Sequence, residues 1–237
     1  MGLLFYHIEQ QIGVYGYHAL KSMELLEEVM EWRNQKFEED ISFYQQEKLW
    51  SVVRRLQRKK AEGDKLYAEI RNRFYSVLPD WEALITAMRS DRHWNMTLED
   101  DENFRRDFKN KVVRIKEALR VINDNIEKLL SPELLPVSDI DKVPDRIHTF
   151  MTYLPYGFRN AHWFFGEVLK FVEEVERWAE KRKREEETSP KEEEEESVSP
   201  VKRAISAIRS LMQRIFSTEE KEKEVSEDDK NNEVTPG

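Results

Sequence analysis

Residues 108–129 read FKNKVVRIKEALRVINDNIEKL, and their large apolar side chains recur every three or four positions. This spacing is the period of an α-helix and differs from the strict alternation of a β-strand. The apolar stripe consists of Phe108, Val112, Ile115, Leu119, Ile122, Ile126 and Leu129. Because a stripe of this kind is stable only when it packs on neighbouring elements, the stretch predicts a bundle helix that ends before Ser131–Pro132.

The same spacing recurs towards the amino terminus and predicts three more helices. The first carries its stripe over residues 5–29 and the second over residues 37–56. The second should end near Gly63, because glycine readily takes the left-handed conformation of a helix end. The third covers residues 66–88, and Pro79 should kink or divide it because proline lacks the N–H that a helix needs.

Beyond residue 129 the helical spacing of apolar residues stops over a proline-rich stretch and then resumes. Residues 132–144 contain three prolines and predict a long connection. A fifth helical segment covers residues 147–179, with an interruption around Pro155–Gly157. Strand signals are scarce, since the chain has seven glycines and neither an Asn-Gly nor an Asp-Gly turn. We therefore predict an all-α fold, an antiparallel bundle of four to five long helices over residues 1–182.

The composition narrows the class of protein. Of the 237 residues, 37% are charged, which is typical of long solvent-exposed helices and points to a thermophilic source. The chain has no cysteine, which excludes disulfides, thiolate metal sites and thiol nucleophiles. We find no secretory leader and no apolar run of the roughly 20 residues that span a membrane, so we expect a cytoplasmic protein without a transmembrane segment.

Catalytic and cofactor motifs are missing from the sequence. Gly13 and Gly16 lie within a helical pattern among bulky tyrosines, so they do not form a phosphate-binding loop. Asp145 and His148 are only a loose relative of the Glu-x-x-His pair of a di-metal bundle, and helix capping by Asp145 is the simpler interpretation. The five histidines lack the spacing of a helical zinc site. We expect a non-enzymatic protein without a metal or cofactor.

Two segments are rich in positive charge. Residues 48–60 contain six cations and no acid, and residues 105–120 contain seven cations against two acids. A basic flank of this kind, with Trp50 for base stacking, would fit a nucleic-acid-associated or mobile-element protein. The other interpretation is a set of solvent-facing charges near a helix end. The candidate nucleic-acid contacts are Arg54, Arg55, Arg58 and Lys59.

Residues 150–165 contain seven aromatic side chains. We expect most of them to form a thick core, because each ring buries a large apolar area. A binding surface is the alternative. Tyr156 and Trp163 fall off the stripe of Phe158 and Phe165, and they are therefore the candidates for exposure.

The last quarter of the chain differs from the rest. We predict a disordered charged linker over residues 183–200, a tethered cationic amphipathic helix over 201–217 and a disordered acidic tail over 218–237. Residues 201–216 carry four cations and no acid, with the apolar residues on one face. A helix this short is marginal in water unless it docks. The candidate partner-binding residues are Ile205, Ile208, Arg209, Leu211, Met212, Ile215 and Phe216.

Three sites compete for this amphipathic segment. Its spacing suits the groove of another protein, its cations suit peripheral contact with an anionic membrane, and its tether allows it to fold back on the bundle. We expect an adaptor or assembly factor that binds another protein through the carboxyl-terminal helix. Nucleic-acid binding is the alternative.

Overall fold

A computed structural model describes residues 2–91, 93–137 and 142–188, with side chains for residues 8–91, 93–137 and 142–186. Within these ranges the chain is helical and contains no strand, which confirms the all-α prediction. No helix in the described part is long and apolar enough to cross a membrane. The helices are α1 (Gly2–Gln46), α2 (Trp50–Ser90), α3 (Trp94–Asp100), α4 (Glu102–Leu129) and α5 (Asp145–Thr188).

The predicted boundary between the first two helices, between residues 29 and 37, is wrong. Helix α1 runs for 45 residues without a break between Val29 and Phe37, because neither proline nor glycine occurs there and the buried stripe continues through Met30. The chain turns at residues 47–49 instead, where Lys48 has a φ of 55°. The backbone N–H of Leu49 donates to the carbonyl of Tyr44 at 2.9 Å and closes this turn.

Gly63 does not end a helix and lies in the interior of α2. A Cβ atom at this position would stand 2.0 Å from Nη2 of Arg33, a fully buried residue of α1. The missing side chain therefore makes room for a guanidinium group between the two helices. Glycine therefore acts here as a spacer and not as a terminator of the helix.

The two prolines within predicted helices are accommodated without a division of either helix. Pro79 lies inside the 41 residues of α2, and Pro155 lies inside the 44 residues of α5. An interior proline costs about 3 kcal/mol or more, and packing on both sides offsets this cost. Trp81, two residues after Pro79, is buried and donates its indole N–H to the carbonyl of Ile12 at 3.0 Å. Leu154, next to Pro155, is fully buried.

Side-chain caps separate α2, α3 and α4. The Asp91 carboxylate accepts hydrogen bonds from the backbone of His93 and the hydroxyl of Thr97, which starts α3. Asp101 accepts from the backbone of Asn103 and Phe104 and caps α4. Arg105 is buried and donates to the carbonyls of residues 98 and 99 at the end of α3. These contacts fix the short helix against α4.

The stripe of α4 is buried along its whole length, from Phe108 to Leu129, as predicted. Helices α2 and α4 pack side by side, and Arg114 makes a bidentate pair with Asp80 at 2.7 and 2.8 Å. A second apolar cluster lies where the chain enters α5. Its buried members are Val29, Leu135, Val143, Ile147 and Met151.

Two compact units are distinguished along the chain. One comprises residues 2–172, and the other begins at Glu173, with residues 173–188 as its described part. In this second part the guanidinium of Arg182 lies 4.8 Å from the centre of the Trp178 ring. Carboxylates flank the basic run 181–184, and three of its four cations lie within 3.5–3.7 Å of Glu180, Glu185 or Glu186. Its charge is therefore largely compensated within α5.

Candidate functional site

Helices α1 and α5 approach closely at Gly157. A Cβ atom at this position would lie 2.1 Å from Oγ of Ser22 and 2.7 Å from the carbonyl oxygen of His18. Since the second of these atoms belongs to the backbone of α1, no side-chain rotation could relieve the clash. The two helices therefore meet backbone to backbone at a small pair, Gly157 and the buried Ser22.

Larger side chains surround this crossing and leave a cavity of about 290 Å³ between them. Tyr153 and Tyr156 border it from α5, and His18 and Lys21 border it from α1. Tyr17 stands beside His18, with the ring centres 5.8 Å apart. We call these five residues the tyrosine surface. Its three tyrosines are between 53% and 62% exposed, which is unusual for large aromatic side chains.

The tyrosine surface has hydroxyl groups that are available for hydrogen bonds with a partner. Within the described part of the chain, the hydroxyl groups of Tyr17, Tyr153 and Tyr156 have no hydrogen-bond partner. Each can therefore donate to an external acceptor, while the ring offers apolar area. Lys21 pairs with Glu24 at 2.6 Å, and this hydrogen bond raises the pKa of Lys21. The charge at this edge is thus compensated, and the surface is predominantly aromatic.

The exposed aromatic stripe continues along α5 to Trp163, which is 46% exposed. The predicted exposure of Tyr156 and Trp163 is confirmed, and so is the burial of Phe158, Phe164 and Phe165 in the core. Tyr153 was not singled out from the sequence, although it lies three residues before Tyr156 and hence on the same face. Tyr17 was also missed, because nothing in the sequence brings α1 beside residues 153–156.

The basic residues of α2 are only partly available. Arg54, Arg55 and Arg58 are exposed and make no ion pair with any residue that the structure describes. Lys59 is half-buried and borders a separate cleft together with four acidic side chains. Its backbone carbonyl accepts a hydrogen bond of 2.7 Å from Arg33. Lys59 is therefore a weaker candidate for phosphate contact than its three neighbours.

The cations of residues 105–120 are largely engaged within the bundle. Arg105 is buried, Arg114 is paired with Asp80, and Arg120 pairs with Glu117 at 2.6 Å. These residues also lie far along the bundle from Arg58. Arg114 lies beside Asp80, and the 22 residues of α2 from Arg58 to Asp80 span about 33 Å. The two basic segments therefore do not form one continuous flank.

The candidate partner-binding residues of the carboxyl-terminal segment, Ile205 to Phe216, lie outside the described residues. The predicted disordered linker of residues 183–200 is wrong at its start, because α5 continues to Thr188. Residues 189–200 and the acidic tail lie outside the described residues. Among the residues that are described, no group of three or more His, Asp or Glu side chains is placed to hold a metal ion.

Comparison with protein-family models, curated proteins and solved structures gave no match to this chain.

Proposed function

We propose that this protein is a non-enzymatic adaptor or assembly factor, in which the helical bundle holds one protein partner and the amphipathic segment of residues 201–217 recruits another. The tyrosine surface is the observation that supports the first contact. The spacing of apolar and cationic residues supports the second. The activity is thus the joining of two proteins.

The composition of the tyrosine surface fits a protein-binding site. Tyrosine and tryptophan are enriched in the residues that contribute most to binding free energy, because one end of the ring is apolar and the other forms hydrogen bonds. Tyr17, Tyr153, Tyr156 and Trp163 are each about half exposed. Together they offer on the order of 400 Å² of aromatic surface, which is about half of one side of a standard interface.

The scaffold below the surface favours binding without rearrangement. Gly157 and Ser22 hold the two helices in direct contact, and Phe158 is fully buried next to them. The backbone of two packed helices is already ordered, so a docking partner need not order it and the entropic cost of binding is lower. A partner would therefore meet an aromatic surface that is already formed.

A site-specific crosslinking experiment tests the first contact. A photoreactive amino acid replaces Tyr156 in the full chain, in cells that make the protein, and the same amino acid at Val113 on α4 is the matched control. We expect one defined crosslinked protein from position 156 and none from position 113. The combined change Tyr153→Ser and Tyr17→Ser should abolish this crosslink and leave thermal unfolding unchanged. Equal crosslinking from both positions would contradict the proposal.

Removal of residues 189–237 tests the second contact separately. The shortened chain should retain the crosslink at position 156 and lose a second partner that the full chain captures. The matched full-length variant carries Ile208→Ser and Met212→Ser, which remove apolar area without changing the charge. If the shortened chain also loses the first crosslink, the segment does not act as an independent recruiting element.

Nucleic-acid association remains the second candidate, and it is favoured by Arg54, Arg55 and Arg58, which are exposed and make no ion pair with the residues that the structure describes. Three cations on one exposed helix face can contact a phosphate backbone. However, the engagement of Arg105, Arg114 and Arg120 removes most of the second basic segment from such a role. A gel shift at low salt that disappears in the Arg54/Arg55/Arg58→Ala variant would support this function.

A further inference from the structure

Helices α1 and α2 extend past the ends of their neighbours. The last turn of α4 lies beside Glu62 and Leu66 of α2, and the first turn of α5 lies beside Glu28 of α1, which pairs with Arg146 at 2.8 Å. Residues 38–58 continue beyond this level as a two-helix projection, which we call the arm. Within the described chain, no hydrogen bond, ion pair or ring contact joins the arm to α3, α4 or α5.

Three large apolar side chains are exposed near the tip of the arm, beside the polar residues 45–48 of the turn. Phe43, Leu49 and Trp50 stand close to the turn and are 57%, 46% and 56% exposed. Together they present on the order of 300 Å² of apolar surface. The side chains that are buried within the arm lie further from the turn, at Val53 and Leu56.

Cations stand directly behind this tip. Arg54 and Arg58 follow Trp50 by one and two turns on the exposed face of α2, and Arg55 is also exposed. The rise of a helix places Arg54 about 6 Å and Arg58 about 12 Å from Trp50 along the axis. The exposed Lys48 adds a fourth cation at the turn itself.

Acidic residues on the arm are fewer at the tip than on the stem. Glu47 is exposed at the turn and opposes the cations. Asp40 pairs with Lys36 at 2.8 Å, and Glu39 accepts from Gln35 and lies 3.7 Å from the same lysine. Glu38 is exposed on α1. The face of α2 that carries Trp50, Arg54 and Arg58 is therefore the cationic side of the arm.

We propose that the arm is a peripheral membrane contact whose tip inserts Phe43, Leu49 and Trp50 among the headgroups of an anionic phospholipid bilayer. Lys48, Arg54, Arg55 and Arg58 then contact the lipid phosphates. The headgroup layer is about 5–8 Å thick on each side of the hydrocarbon. A Trp50 ring at its lower boundary therefore places the backbone of Arg54 within the layer and that of Arg58 about 4 Å or more above it, from where the long side chain of Arg58 can reach down to the phosphates. Tryptophan is enriched at this boundary.

The shape of the tip favours a bilayer over nucleic acid. Three exposed apolar side chains at the end of a helical hairpin can be buried together in a deformable bilayer, and aliphatic Leu49 gains from this burial. Single-stranded nucleic acid instead binds in grooves and stacks on aromatic rings, for which Leu49 offers nothing. This inference does not depend on the tyrosine surface or on the carboxyl-terminal segment.

Site-specific fluorescence tests the contact in the full chain, because the protein has no cysteine and a single introduced one can be labelled cleanly. An environment-sensitive fluorophore is attached at Leu49→Cys, and the matched control is the same label at Val113→Cys on α4. The probes are vesicles of phosphatidylcholine alone and of phosphatidylcholine mixed with phosphatidylserine. We expect a blue shift at position 49 with the anionic vesicles only, and no shift at position 113.

The charge requirement is tested in the same labelled protein. Replacement of Arg54, Arg55 and Arg58 by Gln should weaken vesicle binding roughly hundredfold, since each cation near an anionic surface contributes about a fivefold factor. Glu47→Gln should strengthen binding. The control Arg106→Gln removes an exposed cation of α4 and should leave the arm's binding unchanged.

Two results would overturn the inference. One is the absence of a blue shift at position 49 with vesicles that contain phosphatidylserine. The other is a shift at position 49 with a single-stranded oligonucleotide but not with vesicles, which would assign the arm to nucleic acid. Thermal unfolding of each variant checks that the bundle is intact, since all the replaced side chains are exposed.

Discussion

The guanidinium group of Arg33 occupies the space where Gly63 has no side chain. Its Nη2 atom donates to the carbonyl of Lys59 at 2.7 Å, its Nε donates to the carbonyl of Leu134 at 3.3 Å, and its Nη1 reaches Asp64 at 3.3 Å. Burial lowers the pKa of Arg33, and the nearby Asp64 opposes this effect. One side chain of α1 thus joins α2 to the connection that follows α4.

Gly63→Ala should destabilise the protein by about 2–3 kcal/mol, because a methyl group at this position meets a buried guanidinium that cannot move into water. An exposed helical glycine behaves in the opposite way, and replacement by alanine there adds about 1 kcal/mol of stability. Gly13 has no atom within 4 Å of a Cβ position and is the matched control. Urea unfolding measures both changes. Equal effects at the two positions would show that Arg33 yields without cost.

Arg33→Ala should itself destabilise the protein by about 2–4 kcal/mol, since it removes a buried side chain and leaves the Leu134 carbonyl without its donor. In this background Gly63→Ala should cost nothing or stabilise, because the clash is gone. The double-mutant cycle measured by urea unfolding should therefore give a coupling free energy of about 2 kcal/mol or more. Strict additivity of the two changes would disprove the proposed contact.

Gly157→Ala should separate α1 from α5, because the new methyl group meets the backbone of His18. We expect a loss of about 2–3 kcal/mol in stability and weaker crosslinking at the tyrosine surface. Gly166 in the same helix is the control, since a Cβ atom there makes an ordinary contact of 3.8 Å with Lys116. Gly166→Ala should be neutral or stabilising. Thermal unfolding of the two variants gives the comparison.

Stability should fall as the pH drops below 6.5, in part because of His162. Burial is the main cause that lowers the pKa of His162 from its ordinary value of 6.5, and Lys116 and Arg120 lower it further against Glu117 and Asp124. The unfolded chain therefore binds this proton more readily than the folded one, so the stability is complete above pH 6.5 and decreases as the pH falls towards the folded pKa. His162→Gln should flatten this dependence in urea unfolding between pH 5 and 7. An unchanged slope would assign the dependence to other groups.

The helices could be predicted from the sequence because periodic apolar spacing is a local property. The stripe of α4 is correct from Phe108 to Leu129, and the end of this helix is correct to within two residues. The errors arise where packing outweighs local preference. Pro79 and Pro155 do not divide their helices, because Trp81 and Leu154 beside them are buried.

Gly63 shows why long-range contacts escape such reasoning. A glycine that ends a helix and a glycine that makes room for a buried side chain look identical in a sequence. Only the position of Arg33, thirty residues earlier in the chain, distinguishes these two roles for Gly63. The tyrosine surface was predicted in part. Tyr156 and Trp163 follow from the period of α5, whereas Tyr17 joins them only because α1 crosses α5 at Gly157.

The hydrogen bonds of Arg33 to Lys59, Asp64 and Leu134, which we call the Arg33 network, should separate two rates of local unfolding. The arm should open faster than the bundle. Beyond Arg33 the arm is held by a single helix-helix contact, so its amides should exchange with deuterium through fraying that starts at the turn. The Arg33 network joins α1, α2 and the connection after α4 through hydrogen bonds. It should therefore stop this fraying before it reaches Val29. Amides of residues 41–56 would then exchange orders of magnitude faster than those of residues 22–33, and the arm could bend on a surface while the bundle stays closed.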